Sequence, residues 1–258
     1  MDISFPIAEV VRFAIVLARL GGIMVSAPFF SGGSIPVTIR VAFSLLAAWV
    51  LAPSLPLGSL PAGLSLGSLT GTILMEVVFG LVLGFVANCV FAGLQFAGQI
   101  ISFQMGFSVI NLIDPQTEVD MPVFSFFANY VGILLFLLVN GHHWFLLAVH
   151  DSFGVLPVGG FVIGGALVEQ FVGMTATIFA IGVKIAGPVI IVTTIVDIVI
   201  GIIGRTAPQI NLLVVGMPLK LLAGFACLSF SFYFLPRQLE GVFLSLSRTL
   251  HALASGAS

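Results

Sequence analysis

The chain has 258 residues, of which 59% are hydrophobic and 7% are charged, whereas soluble domains carry about 25% charged residues. This composition is that of a membrane protein, and no soluble-looking stretch exceeds a loop in length, so we expect one domain. The net charge of -2 and the scattered lysines and arginines argue against a nucleic-acid partner, which needs clustered positive charge. Cys89 and Cys227 lie in apolar segments, where packing is their expected role.

The first predicted element is a helix over residues 6–26, which we expect to be kept as an anchor because Arg19 interrupts its apolar stretch. Glu9, Arg12, Arg19 and Ser26 recur at spacings of three or seven and therefore share one face. Such a face must meet protein or water, because a central arginine costs roughly 2.5–3.5 kcal/mol in lipid. The pattern fits either a Glu9–Arg12 pair facing the bundle or the polar wall of a conduit.

A turn rich in glycine and proline leads to a short apolar segment, residues 37–51, which is shorter than the roughly 20 residues of a membrane span. The third segment, residues 69–103, is too long for one span, since such a helix extends about 52 Å across a hydrocarbon core of about 30 Å. Its first half carries Glu76, Gly80 and Gly84 on one face. The two glycines predict close packing against another helix.

The second half of this segment carries uncharged polar side chains on one helical face: Asn88, Gln95, Gln99 and Ser102. Such side chains can hydrogen-bond partner helices or line a wet passage. They lead into a polar loop, residues 104–122, which holds three of the ten acidic residues: Asp114, Glu118 and Asp120. We expect this loop to face water or to fill a space that other chains enclose, and we expect function to reside there.

An apolar run over residues 123–139 follows, and after it comes Asn140-Gly141-His142-His143. The paired histidines do not indicate a metal site, because adjacent residues on a loop point apart and only His150-Asp151 offers further ligands nearby. We expect interfacial histidines beside Trp144, as at many membrane boundaries.

The last third predicts an apolar hairpin with arms over residues 169–203 and 212–235 and a tip over residues 204–211. Pro188 and Pro218 interrupt the two arms, and each break frees backbone groups that neighbouring helices or water must satisfy.

Both arms of the hairpin carry charges: Lys184 and Asp197 on the first, Lys220 on the second. Asp197 lies eleven residues before Pro208 and Lys220 lies twelve after it, so a regular hairpin places the two charges at one depth, where they can pair. Equally, each charge can pair with another chain. Positive residues beyond the last arm favour a cytoplasmic C-terminus.

The sequence contains no recognisable catalytic set, because its carboxylates are dispersed and it lacks nucleophile and phosphate-binding motifs. We therefore expect no enzymatic activity and no cofactor or metal. Three functions stay open: a subunit of a protein-conducting assembly, a structural scaffold, and a proton-coupled small-solute carrier that relays protons through Glu76, Lys184 and Asp197. A carrier should show repeated halves, and the sequence has no repeat period.

Two motifs carry a family resemblance. The central loop contains Gln104-Met105-Gly106-Phe107, Asp114-Pro115 and Met121-Pro122-Val123. The hairpin tip contains Arg205-Thr206-Ala207-Pro208-Gln209-Ile210-Asn211, followed by Gly216-Met217-Pro218-Leu219-Lys220. Together with the length and the order of segments, these motifs resemble the FliR family of flagellar biosynthetic proteins. The related SctT family of injectisome subunits shares the plan, but the loop is closer to the flagellar branch.

The resemblance implies an all-α membrane protein of long kinked helices and helical hairpins, in which residues 1–165 are similar to FliP and residues 166–258 are similar to FliQ. It implies a non-catalytic subunit of the type III export gate, at the flagellar basal body in the bacterial inner membrane, acting on unfolded flagellar substrates. The implied partners are FliP and FliQ, which form a helical assembly with it, and FlhB and FlhA. Much of the apolar surface would then be buried against partner subunits.

The resemblance also implies roles for individual residues. The loop would be a plug in the pore, formed by Met105, Gly106, Phe107, Asp114, Pro115, Glu118, Asp120 and Pro122. Gln95 and Gln99 would face the pore on the helix that leads to the plug. Hairpin residues would contact partner subunits: Lys184, Asp197, Arg205, Pro208, Gln209, Asn211 and Lys220. Gly106 would allow a bend, and Asp114-Pro115 would fix a turn.

Overall fold

A computed structural model of the chain describes residues 7–31, 35–53, 66–107, 123–138, 140–156, 158–161, 165–209, 211, 214–231, 233–234, 236 and 241. The helices within these residues are α1 (Ile7–Ser26), the single turn α2 (Pro28–Ser31), α3 (Val37–Leu51), α4 (Leu66–Gln104), α5 (Val123–Leu138), α6 (Gly141–Val155), α7 (Gly165–Thr206) and α8 (Val214–Ser231). This architecture confirms the predicted all-α membrane class.

The predicted segments match the helices closely. The helix expected over residues 6–26 is α1, and the short segment expected over residues 37–51 is α3. The over-long third segment is one continuous helix of 39 residues, α4, which extends about 58 Å at about 1.5 Å per residue. Three helical stretches are long and apolar enough to cross a membrane: α4, α8, and residues 171–206 within α7.

The stretch after Asn140 was expected to be a loop, and this expectation is wrong. Asn140 adopts a left-handed backbone conformation with φ of 55°, which asparagine tolerates better than most residues. The helix α6 then begins at Gly141, and its first turn closes when the His143 amide donates to the Asn140 carbonyl over 2.9 Å. A left-handed residue therefore directly precedes α6, and the exposed His143 lies on a helix.

The chain divides into two compact units. The first comprises the described residues within Met1–Cys89 and Asn140–Met174. In it, α1 packs against α3 and against the first half of α4. A Cβ atom at Gly80 would run into the carbonyl oxygen of Arg19, and one at Gly84 would run into the Ser26 hydroxyl. The close packing predicted from these glycines is thereby confirmed.

The second unit comprises the described residues within Val90–Val139 and Thr175–Val242, which belong to α4, α5, α7 and α8. One hydrophobic cluster of its core is formed by Ala97, Ile101, Met105, Phe124, Ala186, Val189 and Leu228. Gly98 lets α4 approach the start of α5, because a Cβ there would lie 2.6 Å from the Cα of Ser125. The helices α7 and α8 expose much apolar surface. Of the most apolar stretch of each helix, 17% is buried within the chain in α7 and 11% in α8, compared with 67% in α4.

Candidate functional site

The structure describes the first three residues of the predicted plug loop. Met105, Gly106 and Phe107 form a turn at the end of α4. The remaining predicted plug residues, Asp114, Pro115, Glu118, Asp120 and Pro122, lie outside the described residues.

Gly106 makes the bend expected from the sequence. Its φ is 84°, a left-handed value that glycine adopts without steric cost. The Gly106 amide donates to the Phe103 carbonyl over 3.1 Å, and the Phe107 amide donates to the Ser102 carbonyl over 3.0 Å. These two bonds satisfy carbonyls that the end of α4 would otherwise leave open, so the helix ends and the chain turns at this point.

The turn is fastened to the second unit by packing. Met105 is 1% exposed, and its side chain lies so close to Gly224 of α8 that a Cβ there would be 2.9 Å from the Met105 Cε and Cγ atoms. The ring of Phe107 meets the edge of Phe124 in α5 with centroids 5.2 Å apart, and Phe124 lies 5.8 Å from Phe225 of α8. Phe107 precedes the predicted loop and Phe124 follows it, so their contact joins the end of α4 to the start of α5.

Gln95, from the predicted polar stripe, pairs with another helix of the same chain. Its amide nitrogen donates to the Asn129 Oδ1 of α5 over 2.9 Å, and the Ser125 hydroxyl donates to the Gln95 carbonyl over 3.1 Å. One helical turn further, Gln99 is exposed. Ser102 is fully buried, and its hydroxyl has no hydrogen-bond partner among the described residues. The stripe therefore includes a helix-pairing residue, and a pore-facing role for Gln95 and Gln99 stays a prediction.

The charge pair expected from the hairpin's symmetry about Pro208 is present. The Lys220 Nζ lies 2.7 Å from the Asp197 Oδ2, which confirms the pairing hypothesis. The Lys220 side chain is 20% exposed and that of Asp197 is 50% exposed. The chain thus forms this pair itself, and the Asp197 carboxylate keeps surface for another donor.

The remaining hairpin residues of the predicted partner surface are exposed: Lys184, Arg205, Pro208, Gln209 and Asn211. The Asn211 carbonyl accepts the amides of Val214 and Val215 over 3.1 and 3.2 Å and so starts α8. Contacts of these residues with other chains stay predictions.

The most buried charge pair of the described chain, Arg19 and Glu76, was not paired by the sequence reasoning. Arg19 is 0% exposed and Glu76 is 2% exposed. The Arg19 Nε donates to the Glu76 Oε2 over 2.6 Å. The other Glu76 oxygen accepts the Gly159 amide over 3.1 Å. The pair therefore joins α1, α4 and the segment after α6.

Further contacts satisfy the Arg19 guanidinium from several sides. Nη1 donates to the Ser152 hydroxyl over 2.9 Å, and Nη2 donates to the Leu156 carbonyl over 3.4 Å. The ring of Phe153 lies 3.7 Å from the guanidinium carbon and that of Phe79 lies 4.8 Å from it, as in cation–π contacts. The buried arginine is therefore both neutralised and hydrogen-bonded, which is what burial of a charge requires.

A signal for this pair was available in the sequence. Arg19 lies in the apolar second half of α1 and Glu76 is the one charged residue of α4. Both stand near glycines that let helices approach, so each needed an opposite charge. What the sequence did not specify was the contribution of Ser152, Leu156 and Gly159, because these atoms come from a segment more than 70 residues later.

Comparison with known sequences shows to which protein family the chain belongs. A sequence model of the family described as "Bacterial export proteins, family 1" matches residues 10–246. The flagellar biosynthetic protein FliR of Escherichia coli is 30% identical over 213 residues, which cover 83% of this chain and 81% of the relative. FliR of Bacillus subtilis is 32% identical over 220 residues, covering 84% of each chain, and FliR of Caulobacter vibrioides is 31% identical, covering 84% of this chain and 87% of the relative.

The family match extends over nearly the whole chain, and these relatives share one name. The motifs at Met105–Phe107 and at the hairpin tip fall inside the matched range. The chain therefore belongs to the FliR family of bacterial export proteins and is a membrane component of the flagellar export apparatus.

Proposed function

We propose that this chain is a non-catalytic subunit of the flagellar type III export gate, which forms and gates the channel for unfolded flagellar substrates across the inner membrane. Family membership supports the export role. The observation that supports the gating role is the turn at Met105–Phe107: α4 stops at a left-handed glycine, and Phe107, before the predicted loop, contacts Phe124, after it. A loop fastened at its base can fill a passage without displacing the helices that carry it.

In this proposal the loop over residues 105–122 is the plug. Three acids, Asp114, Glu118 and Asp120, give it a polarity that a lipid-facing segment could not carry. Gln95 and Gln99 lie on the helix that leads to it and would line its approach. Energy for substrate movement is supplied by other components, from the proton motive force and a cytoplasmic ATPase, and this chain blocks leakage until the plug is displaced.

The exposed apolar surfaces of α7 and α8 support assembly with other subunits. Most of their apolar stretch is not buried within this chain, so it must be covered by lipid or by protein. We propose that FliP, FliQ and FlhB cover much of it, with FlhA on the cytoplasmic side. The FliP-like part would be residues 1–165 and the FliQ-like part residues 166–258. The hairpin charges and the tip residues would then contact these partners.

The carrier hypothesis is weaker. Glu76 and Asp197, two of its three relay residues, are each held by a cation within 3 Å, Arg19 and Lys220 respectively. Both carboxylates are therefore occupied by a cation of the same chain, and a relay through them would first have to break these contacts. The FliR names of the relatives also favour the flagellar branch over the injectisome branch.

The proposal can be tested by isolating the tagged chain from its own bacterium in mild detergent. We expect FliP- and FliQ-like chains to co-purify in a stable complex, and a strain without this chain to stop exporting flagellar substrates. A chain that is recovered alone and binds a small solute would instead support the carrier.

The role of the loop acids can be tested separately. Single neutral substitutions, Asp114→Asn, Glu118→Gln and Asp120→Asn, should leave export intact if these acids only keep the plug solvated. A raised ion leak in any one of them would show that its charge acts in closure.

A further inference from the structure

The helix α3 covers the side that a helix of a water-soluble protein would expose. The side of α3 that the chain covers carries mostly small and polar residues, spaced three or four apart: Arg40, Ser44, Ala47, Ala48 and Leu51. The Ser44 hydroxyl donates to the Arg40 carbonyl over 2.8 Å, and the Arg40 Nε donates to the Ile35 carbonyl over 3.1 Å. A helix at the surface of a water-soluble protein instead buries its large apolar side chains.

The opposite side of α3 is dominated by large apolar side chains that this chain leaves open. Six of them are between 42% and 72% exposed: Ile39, Val41, Leu45, Leu46, Trp49 and Val50. We call these six residues the outer face of α3. A continuous apolar surface of this kind marks a contact with a membrane or with another protein, and not with water.

The residue types of the outer face favour lipid over a neighbouring helix. Helices that pack together in apolar surroundings need small residues, because these let the two backbones approach each other. In α4 of this chain, Gly80 has that role against α1. The small residues of α3, Ser44, Ala47 and Ala48, lie on its covered side, whereas its outer face consists of branched and aromatic side chains. Fluid acyl chains adapt to such bulky side chains without needing a matching surface.

The length of α3 limits how far it can enter a membrane. Its 15 residues extend about 22 Å at about 1.5 Å per residue, which is less than a hydrocarbon core of about 30 Å. Trp49 lies in the last turn of the helix, and tryptophan is enriched where acyl chains meet the headgroups. The dimensions of α3 therefore suit one leaflet, with Trp49 toward the headgroups.

We propose that the outer face of α3 is a lipid-binding surface, which contacts the acyl chains of one membrane leaflet in the assembled complex. Because α3 packs against α1, this contact also holds α1 at the membrane. It is distinct from the apolar surfaces of α7 and α8, which we assign to partner subunits. No residue of the predicted plug loop enters this proposal, so the lipid contact and the gating role can fail separately.

The test uses the fluorescence of Trp49. The chain has two tryptophans, and Trp144→Phe leaves Trp49 as the only one in it. The tagged variant is purified with its co-purifying subunits and reconstituted into nanodiscs of phosphatidylcholine, with or without bromine atoms on the acyl chains, which quench tryptophan on contact. We expect the brominated lipid to remove most of the Trp49 signal. The double variant of Trp49→Phe with Trp144→Phe is the matched control, since its signal comes from the other subunits and is subtracted.

Acrylamide, a quencher dissolved in water, identifies what covers the outer face if lipid does not. Quenching of Trp49 by acrylamide and not by brominated lipid would show that the outer face meets water. Quenching by neither would show that a subunit covers it. Either result would overturn the proposal.

A second position guards against a local effect at Trp49. Leu46→Trp, in the background of Trp49→Phe and Trp144→Phe, places the probe at another exposed position of the outer face, and brominated lipid should quench it as well. A probe at residue 46 that brominated lipid leaves unquenched would contradict a lipid-facing helix. If Trp144→Phe assembles poorly, the signal of Trp49 is obtained as the difference between the wild type and Trp49→Phe.

Discussion

Both units of the chain contain an ion pair formed across a long sequence separation, and the surroundings of the two pairs differ. Arg19 and Glu76 are 0% and 2% exposed and are bonded to Ser152, Leu156 and Gly159 as well as to each other. Lys220 and Asp197 are 20% and 50% exposed and lie on helices whose apolar stretches are mostly unburied. The first pair is completed within the chain, whereas the second lies on a surface that lipid or other subunits must complete.

This difference indicates which part of the chain carries its own stability and which part depends on assembly. A buried charge that loses its partner is strongly destabilising, whereas an exposed pair contributes little by itself. Mutations in the first unit should therefore change the stability of the isolated chain. Mutations of the hairpin pair should change the stability of the isolated chain far less and act mainly on assembly and export.

The largest effect is expected from Glu76→Ala. It leaves Arg19 buried without its counter-charge, which costs about 3–5 kcal/mol for such pairs. We expect little folded protein in the membrane and a strongly lowered thermal unfolding midpoint in detergent.

The control for this prediction removes both charges at once. The double variant of Arg19→Met with Glu76→Leu replaces the pair with apolar side chains, which is often neutral or stabilising. It should recover most of the folded protein. A double variant as unstable as Glu76→Ala would show that the hydrogen bonds to Ser152, Leu156 and Gly159, and not the charge balance, dominate.

An intermediate effect is expected from Gly80→Ala. The new methyl group would meet the backbone oxygen of Arg19, which no side-chain rotation can relieve, so α1 and α4 must separate at a cost of about 1–3 kcal/mol. Gly71→Ala is the matched control in the same helix, because its Cβ would have no atom within 4 Å. That control should be neutral or stabilising by up to about 1 kcal/mol through helix propensity. Equal unfolding midpoints for the two variants would contradict the close packing.

The smallest effect on the stability of the isolated chain is expected from Asp197→Asn. The new amide can still accept a hydrogen bond from Lys220, so the unfolding midpoint should change less than with Glu76→Ala. Export should fall more than stability does, and the charge swap of Asp197→Lys with Lys220→Asp should restore more export than either single change. If the swap restores none, the two residues act through other chains and not through their contact.

The helices were predictable from the sequence because they rest on local patterns. Apolar runs, glycines and prolines defined α1, α3 and the two arms of the hairpin, and the spacing about Pro208 predicted the contact of Asp197 with Lys220. The start of α6 was not predicted, since the left-handed conformation of Asn140 allows a helix to begin where a loop was expected.

The contacts of the candidate site were less predictable than its position. Gln95 belonged to a polar stripe that fitted either helix pairing or a wet passage, and only the position of Asn129 on α5 showed that it pairs with a helix. The packing contact of Met105 with Gly224 joins residues more than 100 positions apart, and no local pattern of apolar residues and glycines specifies it.

Whether residues 105–122 close the channel can be measured directly as the ion permeability of cells that make the chain without residues 108–118. The described turn at Met105–Phe107 and the start of α5 stay intact in this variant, so the complex with FliP and FliQ should still assemble. We expect an assembled complex with a raised ion leak. An assembled complex whose leak equals that of the wild type would contradict it.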